Sequence, residues 1–247
     1  MPTTKQVLKP KLESKVKENA RVPTGIPGFD KLCSGGLING SVNLISGGPG
    51  TGKTAFVAQF LYYGAVEYGE KGLYVSFEED LDNLKRDMKE FGWDFDALER
   101  SGMVQFVYFG PYETTDLQAR LIREISRINA KRVVIDSISV FAMGLKSNYD
   151  IRKEIYSLAA LLKRLNCTSM LTSEIVGDLA ESGNYNSLSR YGVEEFICDS
   201  VIALHYAGIG GKGDRALRIV KMRRTNHKKG VISMDITDKG IAVYPEK

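Results

Sequence analysis

The amino-acid sequence predicts an α/β fold: a mostly parallel central sheet covered by helices on both faces, followed by a C-terminal antiparallel ribbon. Three observations carry that expectation. Gly47-Gly48-Pro49-Gly50-Thr51-Gly52-Lys53-Thr54 fits Gly-x-x-x-x-Gly-Lys-[Ser/Thr], with the apolar run Ser41–Ser46 before it and Ala55–Leu61 after it, the strand–loop–helix setting that a phosphate-binding loop needs. Short β-branched or aromatic runs then alternate with helical periodicity, and parallel strands require such crossovers. Beyond Ala216 the strand patterns are separated by turns alone, as in antiparallel pairs.

A chain of 247 residues is long enough for one large α/β domain with a sizeable core. No apolar run approaches the ~18 residues needed to span a membrane, and the N-terminus lacks the apolar segment of a signal peptide; a cytoplasmic protein is expected. Cys33, Cys167 and Cys198 are far apart, odd in number and outside any metal-spaced pair, so they read as reduced, buried packing residues. The formal net charge of +4 resides in residues 1–22, where six cations face two acids. Residues 1–21 therefore read as a basic, flexible tail and residues 22–247 as the domain.

In chain order, Val22–Asp30 is turn-rich, Phe29–Cys33 is one short helix, and Gly35-Gly36 ends it. From Lys53 to Tyr68 apolar residues recur on nearly every side of a helix, which suits an element held between a sheet and a second surface; Gly69 is its expected C-cap. Leu73–Phe77 is a buried strand with Glu78-Glu79-Asp80 at its carboxyl end, followed by a helix through Leu81, Leu84, Met88 and Phe91. Met103–Tyr108 is a strand. Thr114-Thr115-Asp116 opens a helix with Leu117, Leu121, Ile122, Ile125 and Ile128 on one face. Arg132–Ser137 is a strand ending in Asp136, Ile151–Leu165 a helix, and Thr168–Ser173 a strand whose end, Ser173-Glu174, lies where polar groups could sense a γ-phosphate. Gly177–Gly192 has neither period, and a loop of that length in a compact domain is commonly functional. Ile197–Tyr206 resumes as a strand, and Ala216–Met222, Val231–Ile236 and Gly240–Tyr244 form the ribbon.

The chemistry follows from the loop. Gly48, Pro49, Gly50, Thr51, Gly52, Lys53, Thr54 and Ala55 form a loop whose backbone N–H groups, carried by every residue but Pro49, gather at a helix amino end, so the expected ligand is ATP or ADP. Lys53 adds charge at the β- and γ-phosphates, and Thr54 and Asp136 are the expected Mg²⁺ ligands. A second concentration of charge lies between Lys212 and Lys229, eight cations against Asp214 alone. Within it Lys221 and Arg223 share a strand face, a pair suited to an anion held elsewhere than on this chain's own loop.

These motifs, with Gly192-Val193-Glu194-Glu195-Phe196 and Lys221–Gly230, resemble a single KaiC-type domain of the RecA/DnaB ATPase superfamily. The resemblance covers residues 22–245 and implies a RecA-like P-loop core assembled as a ring, expected to be a hexamer, with ATP between subunits. One subunit would supply Lys53, Thr54, Asp136 and a catalytic glutamate. Its neighbour would supply Lys221, Arg223 and, around ribose and base, His227 and Asp238. Glu78 corresponds to the water-activating glutamate and Glu79 to the second acid beside it. Two departures stand out: Glu195-Phe196 occupies the place of the phosphate-accepting Ser-Thr pair of KaiC's self-phosphorylating domain, and Arg224 replaces a small residue. KaiC carries two such domains in tandem, and these residues supply one.

Rival readings are a DNA-dependent RecA/DnaB-type motor and a KaiC-like protein kinase. Against the motor, Gly177–Gly192 has Arg190 as its one cation and Asp178 and Glu181 as acids, whereas loops that follow a nucleic-acid backbone are basic. Nucleic acid is a possible partner but is not the favoured one, and the tail is where it would bind.

Overall fold

The computed structural model describes residues 20–110, 116–143, 145, 147–175, 188–208, 210–211 and 214–245. The Gly177–Gly192 loop, up to Asn186 and Ser187, and the Thr114-Thr115 helix start lie outside them, as do residues 1–19. Eleven described strands form two sheets. β1 (Arg21–Val22) and β2 (Leu37–Ile38) make a small antiparallel pair, so the folded unit includes Arg21. The other nine make one sheet in the order β11-β10-β9-β8-β3-β7-β6-β4-β5.

The parallel half consists of β3 (Val42–Gly47), β4 (Gly72–Ser76), β5 (Val104–Tyr108), β6 (Arg132–Asp136), β7 (Thr168–Glu174) and β8 (Ser200–Tyr206). β3, β4 and the body of β6 and β7 are buried along their length, as strands of a doubly covered sheet must be. β9 (Arg215–Met222), β10 (Val231–Thr237) and β11 (Gly240–Tyr244) are antiparallel as the sequence predicts, but they extend the main sheet from β8.

Helices cover both faces. On one, α2 (Lys53–Val66) lies over the sheet with α1 (Phe29–Leu32), α3 (Leu81–Lys89), α4 (Phe95–Arg100) and the Trp93 region. α2 also meets β11, which explains an apolar surface on nearly every side. On the other, α5 (Leu117–Ile128), α6 (Ile138–Met143) and α7 (Asn148–Arg164) pack on β3, β4, β6 and β7.

Several expectations need correction. α2 ends at Val66 rather than Tyr68, and Gly69 adopts its left-handed φ of 63° outside the helix. Ile122 is exposed, so the buried stripe of α5 is Leu117, Leu121 and Ile125. Ile197 does not begin β8: it closes a single turn, α8 (Glu194–Ile197), and the strand starts at Ser200. The three cysteines are buried and free, and burial pushes the Cys33 and Cys198 thiols up to about 12 and Cys167 to about 11.

Candidate nucleotide site

The carboxyl ends of the parallel strands bring the predicted acids and the loop together. Register aligns Gly47 with Glu174 on β7, and Asp136 on β6 with Ser76 on β4. Lys53, Thr54, Tyr74, Ser76, Glu78, Glu79, Asp136, Ser137 and Glu174 line one cavity of about 390 Å³. Ligands bind at this edge of α/β sheets because the loops there are free of strand pairing and helix amino ends converge on it.

The loop's shape is set by backbone that only glycine adopts easily. Gly52, at the N-cap of α2, has φ 94°, and a Cβ there would lie 3.0 Å from Ile236 Cδ1. The β10–β11 hairpin thus packs directly beneath the loop through Ile236 and Ile241, and its turn carries Asp238. Thr51 Oγ1 donates to Gly48 O at 2.9 Å, and Lys53 Nζ donates to Gly47 O at 3.0 Å and Gly48 O at 2.9 Å. Burial pushes the Lys53 ammonium below the ordinary lysine range, opposed by the charges of Asp136, Glu174 and Glu78. α2 starts at Lys53, so its free N–H groups and dipole add to that field.

Asp136 is held by three hydroxyls. Thr54 Oγ1 donates to Oδ2 at 2.9 Å, Tyr74 OH donates to the same oxygen at 2.7 Å, and Thr172 Oγ1 donates to Oδ1. Burial, and then Asp136, pushes the Tyr74 phenol well above its ordinary range, so it remains a donor. Thr54 and Asp136 fit Mg²⁺: they are hard oxygen donors in hydrogen-bond contact, and this ion is commonly held by one or two protein oxygens with substrate phosphates and water. Among the described residues no group of three or more His, Cys, Asp and Glu could hold a metal by itself, in keeping with a site that relies on phosphate oxygens.

The two glutamates differ in setting. Ser76 Oγ donates to Glu79 O at 2.7 Å and accepts from Glu79 N at 3.1 Å, fixing the chain after β4. Burial, followed by Asp87, Asp136 and Glu78, raises the Glu79 carboxyl above its usual range. Glu78 is exposed and lines the cavity. Sequence reasoning did not find Tyr74, Thr172 or the Arg190–Glu174 ion pair of 2.6 Å. The available signal was a pair of hydroxyls, Thr172 and Ser173, just before the acid that ends a buried strand.

Lys221 and Arg223 lie elsewhere. Lys221 pairs with Val201 and thereby with Leu44, while Arg223 N donates to Asp199 O, and Asp199 N donates to Val42 O. Both cations are thus at the amino ends of the parallel strands. Val42 is five residues, about 16 Å of strand, from Gly47. Lys221 Nζ donates to Glu195 O at 2.7 Å; Arg223 donates to Phe196 O at 3.4 Å and is 3.6 Å from Asp199 Oδ1. His227 is buried, with Nδ1 3.0 Å from Lys228 O and Nε2 3.0 Å from Lys229 Nζ.

A glycine-rich loop on a central parallel strand, a helix amino end beneath it and a carboxylate on a nearby strand define a P-loop protein with a RecA-like core. Residues 22–247 match the family model for the KaiC ATPase, and the chain belongs to that family. It is 39% identical over 232 residues to the circadian clock oscillator protein KaiC of Parathermosynechococcus lividus, covering 90% of this chain and 42% of that protein. With the KaiC of Synechococcus elongatus it shares 34% over 253 residues, 98% of this chain and 48% of that protein. The chain therefore spans about half the length of the curated relatives it matches. The crystal structure of a KaiC-like protein from the hyperthermophilic archaeon Pyrococcus horikoshii superposes with a TM-score of 0.80 at 42% identity, covering 92% of this chain and all of that one.

Proposed function

We propose that the chain is a Mg²⁺-dependent ATPase whose active sites lie between copies in a ring, expected to be a hexamer, and that its turnover serves regulation or conformational signalling. The observation that carries this reading is a separation: Lys53, Thr54, Glu78, Glu79 and Asp136 share one cavity, whereas Lys221 and Arg223 sit at the opposite ends of the same strands. A chain alone thus has the loop and the acids without the cations that would meet the phosphate charge. Glu78 orients and deprotonates the attacking water in line with the γ-phosphate, with Glu79 as the supporting acid. Lys53 holds the β- and γ-phosphates, and the neighbour's Lys221 and Arg223 stabilise the charge of the transition state. Thr54 and Asp136 would hold Mg²⁺, which would supply positive charge against the phosphates. His227 and Asp238 are assigned to the ribose and base, both supplied by the neighbour.

Mixing tests the shared site. Arg223→Ala and Glu78→Gln subunits should each be nearly inactive, since a finger of this kind is worth ~10³–10⁵ in rate. Mixed assemblies contain interfaces with both groups intact, so activity should partly return. Freely exchanging subunits that recover nothing would show that Arg223 acts within its own chain.

A further inference from the structure

One carboxylate in the fold has a partner set too complete for a surface helix and lies outside the cavity. Glu194 is fully buried at the start of the four-residue α8. Its Oε1 accepts from Ser173 Oγ at 3.2 Å and Tyr191 N at 3.4 Å, and its Oε2 accepts from Ser189 Oγ at 2.7 Å and Val193 N at 3.1 Å. Burying a carboxylate is costly unless each oxygen is satisfied, so this arrangement fixes the turn firmly to the end of β7.

What lies at either end gives the arrangement its meaning. Toward the cavity, Ser173 precedes Glu174, which lines the pocket beside Lys53 and Asp136. Glu174 N donates to Ser139 Oγ, itself 3.3 Å from Ser173 Oγ, and the Glu174 carboxylate holds Arg190, whose own N–H donates to Ser173 Oγ at 3.2 Å. Toward the opposite edge, the turn that Glu194 begins presents Glu195 O to Lys221 and Phe196 O to Arg223. Ser189 Oγ also reaches Glu195 Oε2. A hydroxyl has one proton to donate, so Ser189 can serve only one of Glu194 and Glu195 at a time.

We propose that Glu194 is a positioning residue that couples a chain's own phosphate pocket to the placement of Lys221 and Arg223, the cations that the same chain lends to its neighbour. The inference rests on the shared-site reading. A γ-phosphate competing for Glu174's surroundings would shift the Glu174–Arg190–Ser173 group, and Glu194 would pass that shift to the turn carrying the two acceptor carbonyls. Occupied pockets would then make better cation donors, and firing at successive interfaces would be coupled.

The test dopes wild-type assemblies with Lys53→Ala subunits, which keep Lys221 and Arg223 but cannot hold phosphate. Turnover per intact site should fall several-fold as the doped fraction rises. The same doping with Glu194→Gln in every subunit should leave turnover per intact site constant, while the affinity of the pocket for a fluorescent ATP analogue stays within about twofold. Glutamine presents an NH2 group where two donors already point; if that variant does not fold, Ser189→Ala removes one donor gently and should flatten the dependence likewise. Recovery in the Arg223→Ala plus Glu78→Gln mixture, together with no dependence on doping, would overturn the coupling alone. Failure of that recovery sinks the shared site first. A dependence on doping that persists in both Glu194→Gln and Ser189→Ala would remove Glu194 from the role.

Discussion

Glu78 and Glu79 line the same cavity but differ in exposure, Glu78 being exposed and Glu79 half-buried, and their separate substitution distinguishes their roles. Glu78→Gln keeps size and hydrogen bonding but removes basicity, so ATP should still bind while hydrolysis falls by about 10² or more. Nucleotide binding by fluorescence and turnover by phosphate release check both halves, and a larger loss in Glu79→Gln would exchange the assignments. Glu79 also makes a pH prediction. Its carboxyl is raised by burial first and then by Asp87, Asp136 and Glu78, so the folded chain favours the protonated form more than the unfolded chain does. The stability this contributes is full below the ordinary glutamate range and is lost as pH rises through the raised value. Glu79→Gln should therefore raise the melting temperature at neutral pH, without nucleotide or Mg²⁺, and the gain should vanish toward pH 4. A gain that grows in acid would reverse the sign of the assignment.

Elements with their own period were legible, and those made by tertiary contact were not. α2 was readable because residues 53–66 are apolar all round and its β11 neighbour requires that. α6, Ile138-Ser139-Val140-Phe141-Ala142-Met143, follows β6 almost directly, is short and has no cap pattern, so it merges with the strand before it. α8 holds β-branched and aromatic residues that suit a strand; the amides gathered by Glu194 make it a turn. The loop was legible because a motif fixes its spacing and Asp136 because it ends an apolar run, whereas Tyr74 and Thr172 come from different strands and meet Asp136 through register. The tip of β11 can be tested directly. Gly240 has φ 104°, and a Cβ there would lie 2.3 Å from Trp93 Cζ2 and 2.5 Å from Gln59 Oε1, while Gly69 has φ 63° with nothing within 4 Å. Gly69→Ala should cost about 1–2 kcal/mol from backbone alone. Gly240→Ala should cost clearly more and loosen the hairpin beneath the phosphate loop; equal losses in denaturant unfolding would mean that the Trp93 contact yields freely.

At the scale of the whole molecule, the first strand pair begins at Arg21 and includes a residue that the sequence assigns to the basic N-terminus. Arg21 Nη1 donates to Cys33 O at 3.3 Å, Gly36 O at 3.1 Å and Thr225 Oγ1 at 2.9 Å, so it belongs to the fold despite its charge. Deleting residues 1–19 should leave ATP turnover intact and remove any salt-sensitive binding to single-stranded DNA, measured by anisotropy. DNA stimulation that survives the deletion would favour a motor. Among the described residues no helix is long and apolar enough to cross a membrane. The placement of the phosphate loop and the cations at opposite strand ends carries one more consequence. In the proposed ring each subunit would lend its cation end to one neighbour and receive the other neighbour's at its loop end, a head-to-tail contact with a direction. A closed ring of such contacts has as many complete sites as subunits, whereas an open chain always lacks one, so turnover per subunit should rise with oligomer size and reach its plateau at closure.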